Sequence, residues 1–299
     1  MHERALKLRA AILILLAFCA LAVFLIPQGT GRVSHPYLRV DFLDIGQGDS
    51  ILIEAPGGRQ VLIDGGPDDT VLRKLSEVMP FGDHSIDMVV GTHPDKDHIG
   101  GLSDVLREYD VGTILTTENR NDTQASAMYE SLKKKEGAQI VNARRGMVFT
   151  LDASTTLRVL YPDRDPSSME SNESSIVLQL RYGSTTFLFT GDSPKDVEAY
   201  LVAEDGANLR STVLKAGHHG SRSATSELYL EAVDPQYAII SAGKNNRYGH
   251  PTKEVMDRLA AHHTVIYSTI DDGTITLLSD GKTVAPKKAY APATTVGGP

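Results

Sequence analysis

Short apolar runs that end in Gly beside Asp or His recur between residues 38 and 278, with helix-like patterns spaced among them. YLRVDFLDIGQGDSILIEAPGGRQVLIDGG reads as three strands, over 38–44, 50–54 and 60–64, punctuated by Gly46, Gly48, Gly57-Gly58 and Gly65-Gly66. A helix over 69–79 follows, then a buried strand over 87–92 that runs into HPDKDHIGG. The remainder alternates helices near 98–108, 122–136, 194–204, 225–232 and 252–261 with strands near 112–116, 138–141, 156–160, 174–181, 184–190, 212–215, 236–240, 264–268 and 273–278. One doubly wound sheet of this length does not hold so many strands. The pattern predicts an α/β fold of two packed sheets with helices outside.

The amino terminus differs in kind. Residues 10–26 (AAILILLAFCALAVFLI) are an unbroken apolar run behind Arg4, Lys7 and Arg9, a membrane-targeting pattern with its positive end held in the cytoplasm. The run is at the lower limit for spanning, so a retained anchor and a cleaved signal both fit, and the lack of an Ala-x-Ala site favours the anchor. The expected organisation is an anchor or signal segment with its linker over 1–33, a folded domain over 34–283 and a disordered tail over 284–299. Localisation follows: the folded domain is exported, and is membrane-anchored or, after cleavage, secreted. The single cysteine, Cys19, lies inside the apolar run. Any metal in the exported part must therefore be held by His and carboxylates.

The first 33 residues carry a net +3 of the formal −8, which leaves −11 for the rest. That disfavours a generic basic nucleic-acid binder, although Asp residues that ligate cations inflate the count. The strongest chemical signal is His93-Pro94-Asp95-Lys96-Asp97-His98. In an extended segment His93, Asp95 and Asp97 fall on one side, whereas Asp97 and His98 converge only where the chain turns; Gly100-Gly101 permits such a corner. Four metal-competent side chains in six residues suit two metals better than one. Asp192 follows a strand in FLFTGDS, His218 and His219 follow another in VLKAGHHGS, and His250 a third in ISAGKNNRYGHP. Loops on a rigid sheet are where function is usually placed. Asp64, in LIDGG, sits where a carboxylate could support the His ligands from behind. His262-His263 lacks such context and reads as structural.

Together VDFLDIGQGDSILIE, LIDGG, THPDKDHIGGL, NESSIVLQLRYG, FLFTGD, VLKAGHHGSRSATS and NNRYGHP closely resemble the metallo-β-lactamase superfamily, and within it the extracellular hydrolase domain of the ComEC competence proteins and its stand-alone relatives. The resemblance covers roughly residues 38 to 280 in order. It implies a four-layer αββα sandwich with a site for two divalent metal ions, Zn or Mn, at one edge. The superfamily's H-x-H-x-D-H reads His93-x-Asp95-x-Asp97-His98 here, with Asp in place of the second His. The resemblance implies that His93 and Asp95 bind the first metal, that Asp97 and His98 bind the second, that Asp192 bridges them and that His250 completes the second site. The middle ligand, ordinarily His, falls at Asn172 followed by Ser175, which weakens the first site or suits it to a harder ion.

The same resemblance places Gln47 and Asp49 in the cleft, and makes His218 and His219 the catalytic histidine region, with His219 the favoured proton donor. The implied reaction is hydrolysis of a phosphoester by metal-activated water. DNA is the first candidate substrate: the ComEC-like domain is thought to degrade the strand that is not imported, and Lys215, Arg222, Lys244 and Arg247 flank the His motifs, with Asn246 beside them and Tyr248 available to stack on a base. A phosphorylcholine or other cell-surface phosphoesterase is the alternative enzyme, and lactam hydrolysis is less favoured. The rival from another class is a non-catalytic DNA- or cell-wall-binding module, against which the nearly complete ligand set argues. The apolar run makes the membrane a further partner, and nothing in the sequence points to a protein partner.

Overall fold

Strand register dictates how the chain gathers its loops. The computed structural model describes residues 34–287 of 299, so the apolar run at 10–26 and the tail from 288 lie outside the described residues. Among the described residues no helix is long and apolar enough to cross a membrane. The chain folds as a mixed α/β sandwich of two sheets. The first has eight strands in the order β15-β14-β1-β2-β3-β4-β5-β6, where β1 is Leu38–Phe42, β2 Ile51–Glu54, β3 Gln60–Ile63, β4 Ser85–Gly91, β5 Asp110–Thr116, β6 Gln139–Asn142, β14 Ile275–Ser279 and β15 Val284–Pro286. The second has seven in the order β13-β12-β11-β10-β9-β8-β7, from β7 Val148–Thr150 and β8 Thr155–Tyr161 through β9 Val177–Tyr182, β10 Thr185–Phe189, β11 Val213–Lys215 and β12 Tyr237–Ile240 to β13 Val265–Ser268.

Each sheet is half parallel. Strands β3 to β6 run parallel in the first, and β10 to β13 in the second. Antiparallel pairing of β2 with β3 sets Ile51 opposite Ile63, which brings the β1–β2 loop beside the end of β3. The carboxyl ends of parallel strands are where open α/β sheets place ligands. Here both sheets offer such ends to one another.

Alternation explains the core. Val40, Phe42, Ile51, Ile53, Val61, Ile63 and Val90 of the first sheet face Leu157, Leu178, Leu180, Phe187, Phe189 and Val213 of the second. Phe42 meets Phe189 across the gap with ring centroids 6.2 Å apart, and each buried phenyl contributes about 1.5–3 kcal/mol. The opposite faces carry helices: Thr70–Val78, Leu102–Glu108 and Gln124–Lys133 on the first sheet, Lys195–Asp205, Glu227–Val233 and Lys253–Ala261 on the second.

Two expectations need correction. The helix expected over 98–108 is two, Lys96–Ile99 and Leu102–Glu108. Gly100 and Gly101 press against other backbone, where a Cβ would lie 2.3 Å from Pro67 O and 2.2 Å from Gly65 O respectively. The tail does not begin at 284: Val284–Pro286 forms β15 against β14, and Val284 is buried. The Asp280 carboxylate closes the preceding turn by accepting from the amides of Lys282 and Thr283 at 2.8 and 2.7 Å. Composition alone does not reveal that turn.

Candidate metal centre

Three buried histidines are held by the same device. Thr92, just after β4, donates its amide to Asp64 Oδ1 (2.9 Å) and its hydroxyl to Asp64 Oδ2 (2.7 Å). With its proton so engaged, Thr92 Oγ1 can only accept from His93 Nδ1, 3.1 Å away. His98 Nδ1 donates to Asp64 Oδ2 at 2.7 Å, and His219 Nδ1 to the carbonyl of Ser241 at 2.9 Å. In each ring Nδ1 therefore carries the proton of the neutral form, and Nε2 keeps the lone pair. All three Nε2 atoms are buried without a hydrogen-bond partner. Metal-ligating histidines are oriented this way, with the other ring nitrogen donating to a carboxylate or carbonyl.

Those nitrogens turn toward carboxylates. His98 Nε2 lies 3.3 Å from Asp192 Oδ1, and His219 Nε2 lies 3.3 Å from Asp192 Oδ2 and 3.5 Å from Asp97 Oδ2. His93 Nε2 lies 3.6 Å from Asp95 Oδ2, and the His93 and His98 rings are 4.1 Å apart. Asp95 is fixed by Asn121 and Ser171, which donate to Oδ1 at 2.5 and 2.7 Å. Burial works to raise the Asp95 carboxyl, but His93, Ser171 and Asn121 hold it well below the usual carboxylate range. This donor set fits hard or borderline divalent cations.

Asp49, His98, Asp192 and His219 offer ligand atoms within 4.8 Å of one another. Asp49 nevertheless stands apart. It touches His219 at Nδ1 (3.3 Å) and Lys215 Nζ at 2.5 Å, behind the ring and away from Nε2. The convergent set is therefore Asp97, His98, Asp192 and His219, with His93 and Asp95 adjoining.

Other expected residues take different places. His250 meets His218 at a ring-centroid distance of 5.5 Å and keeps a buried, unpartnered Nδ1 within the influence of Asp192 and Asp97, while His219 Nε2 lies directly against those two carboxylates. His218 is half-buried, with Nδ1 3.1 Å from Ser223 Oγ and Nε2 3.5 Å from Asp192 Oδ2. His219 is enclosed, whereas His218 is partly exposed, so the two histidines differ in their access to solvent. Lys215, expected on the rim, is 1% exposed and cannot reach a substrate. Gln47 Oε1 accepts from Gly243 N (3.1 Å), so it ties two loops together. Asn246 Oδ1 accepts from the amides of Tyr248 and His250 and shapes their turn. Ser175 Oγ accepts from Asp192 N at 3.2 Å, which leaves Asn172, with a buried unpartnered Oδ1, as the candidate beside the first site. His262 pairs with Glu227.

Backbone strain concentrates here. Asp64, His218 and His219 have φ of 58°, 48° and 55°, a region that non-glycine residues enter at a cost of about 1–3 kcal/mol each. Sequence reasoning missed Asn121, Ser171 and Ser241, which lie far from the motifs they serve. Thr92, next to His93, carried the one available signal.

Burial disfavours charge on His98 and His219, yet Asp192 with Asp64, and Asp192 with Asp49, raise these imidazoles well above the ordinary histidine value. In the ion-free chain these carboxylates favour the protonated rings, and a cation competes with those protons. Their raised values stabilise the ion-free fold at low pH, a contribution lost as pH rises through them, so metal affinity should strengthen as pH rises. Calorimetric titration in buffers of different ionisation enthalpy should show net proton release on metal binding at pH 7; release of none would contradict the assignment.

A family model described as the metallo-beta-lactamase superfamily matches residues 43–244, about two thirds of the chain. The chain belongs to the metallo-β-lactamase superfamily. It is similar to ComE operon protein 3 of Bacillus subtilis (strain 168), with 35% identity over 257 residues, and to competence protein ComA of Neisseria gonorrhoeae, with 31% over 272. These alignments cover 79% and 84% of this chain but 32% and 36% of the relatives, so the chain spans about a third of their length. Among solved structures, the metallo-beta-lactamase fold protein YhfI from Bacillus subtilis matches with a TM-score of 0.52 at 13% identity, over 79% of this chain and 98% of that one. That likeness concerns the fold. The chain is a hydrolase of this superfamily, related to the ComEC-type competence proteins.

Proposed function

We propose that the protein is an extracytoplasmic phosphodiesterase that uses two divalent ions, Zn or Mn, to cleave DNA, and that the apolar run at 10–26 holds it at the membrane. The observation that carries this reading is the set of three imidazoles whose proton-bearing Nδ1 atoms are anchored while their buried, unpartnered Nε2 atoms converge on Asp95, Asp97 and Asp192. His93 and Asp95, with Asn172 adjoining, would hold one ion; Asp97, His98 and His219 would hold the other, and Asp192 would serve both. Bound there, such ions acidify water and neutralise charge on phosphoryl oxygens.

The chain's own residues do the rest. His218 stands at the open side of Asp192, where an imidazole can deliver a proton to a leaving oxygen. Outward from it runs a ladder: His218 against His250 at 5.5 Å, His250 stacked on Tyr248 at 5.7 Å, and Arg247 over the Tyr248 ring at 5.0 Å. Tyr248 is half exposed. A half-exposed tyrosine capped by a guanidinium, two steps from the proton donor, offers a nucleobase near the scissile phosphate a planar, cationic surface to stack on. The exposed Arg222 and Lys244 add positive charge. A cell-surface phosphoester such as phosphorylcholine would use the same ions but not this ladder.

The test uses the full chain, stripped of metal and reconstituted separately with Zn²⁺ and Mn²⁺, on single- and double-stranded DNA beside a bis-aryl phosphodiester. We expect DNA cleavage with at least one ion. Tyr248→Ala should raise KM for single-stranded DNA about tenfold, as loss of one stacked base would, and leave the small ester unchanged. Hydrolysis of the small ester alone would move the natural substrate to a cell-surface phosphoester.

A further inference from the structure

We propose that Lys215, buried behind the site, is a positioning residue: it anchors Asp49 against Nδ1 of His219 and thereby keeps His219 Nε2 aimed at the metal position. This inference rests on the metal-dependent reading above.

Lys215 closes β11, and its side chain is fully enclosed. A lysine so placed is costly unless paired. Its ion-pair partner is Asp49, at 2.5 Å, and Nζ has no hydrogen-bond partner. Asp49 comes from the other sheet, in the loop between β1 and β2, and is itself 2% exposed. One of its oxygens meets Lys215; the other lies 3.3 Å from His219 Nδ1. Its backbone amide donates to the carbonyl of Asp97 at 3.2 Å. Asp49 thus touches two residues of the convergent set, from behind one and along the backbone of the other; its backbone is also tied to Gly66 N at 2.9 Å, and Lys215 is the cation that holds its carboxylate.

Charge supports the same role. Five carboxylates, Asp49, Asp64, Asp95, Asp97 and Asp192, surround the histidines. Two divalent ions would balance four of them, and Lys215 the fifth. Without Lys215, Asp49 would be a buried carboxylate free to swing toward a cation, leaving His219 Nδ1 with the Ser241 carbonyl alone. Loss of such an outer partner typically weakens metal binding by about 10–100-fold.

The experiment is a double-mutant cycle on the full chain, with Zn²⁺ and Mn²⁺ dissociation constants measured by competition with a chromogenic chelator. Lys215→Met and Asp49→Asn should each weaken one ion by about 10–100-fold, and the double variant should be no weaker than Asp49→Asn alone, because Lys215 acts through Asp49. Should Lys215→Met not fold, Asp49→Asn is compared with the double variant, which leaves no unpaired charge; equal constants are expected, and a further loss in the double variant overturns the proposal. Unchanged metal affinity in Lys215→Met, with only a lower Tm or only a higher KM for the diester, also overturns it. Failure of the wild-type chain to bind metal would instead overturn the metal-dependent reading itself.

Discussion

Asp192→Ala should abolish tight binding of at least one ion and lower diester turnover on the order of 10³-fold, since the chemistry those ions supply is worth several kcal/mol and each 1.36 kcal/mol is tenfold. The reason is positional. Asp192 touches His98, His219 and His218 together, at 3.3, 3.3 and 3.5 Å. Burial works against its charge, but His219 and His98 hold the carboxyl well below its ordinary range. Removing it also takes from each of two imidazoles the carboxylate that raises it most, so the ion-free variant should take up metal with less proton release. Metal content by mass spectrometry, together with turnover, checks this. Normal metal content with full activity would sink the assignment.

Gly48→Ala should be the most damaging single methyl in the molecule for the site. Gly48 has φ +128°, and a Cβ there would lie 2.1 Å from the carbonyl oxygen of Asp97. Either the IGQGDS loop or the metal-binding loop must then move, and Asp49 N loses its bond to that same carbonyl. The expected cost is about 2–3 kcal/mol, a fall in Tm of roughly 4–12 °C for a domain of this size, together with weaker binding of the ion held by Asp97. Gly46→Ala is the control: its φ is +81° but no atom lies within 4 Å of the added Cβ. It should lose stability through backbone strain and keep its metal affinity. Equal metal binding by the two variants would show that the clash at Asp97 is absorbed elsewhere.

Much of this was legible before any coordinates. Short apolar runs ending in Gly with Asp or His are too numerous for one sheet, which predicts two, and they place the chemistry at strand ends, because apolar runs and turn chemistry are local. The edge strand β7, the strand β15 and the break at Gly100-Gly101 were not legible, since short edge segments and close backbone approaches leave little periodic signal.

By itself the sequence determined the donor types: with its one cysteine in the apolar run, a metal site had to be built from His and Asp, and HPDKDH supplied four of them in six residues. Tertiary structure alone decided which of the remaining donors converge. His219 Nε2 meets Asp97 directly, His218 is partly exposed beside Asp192, and Lys215 lies inside with Asp49 rather than on the rim. Adjacent histidines in left-handed backbone set their rings 72° apart yet bring both Nε2 atoms to the same Asp192 oxygen, and an ion pair between two sheets exists only once those sheets have packed. Such relations depend on angles and long-range contacts that no spacing of residues encodes.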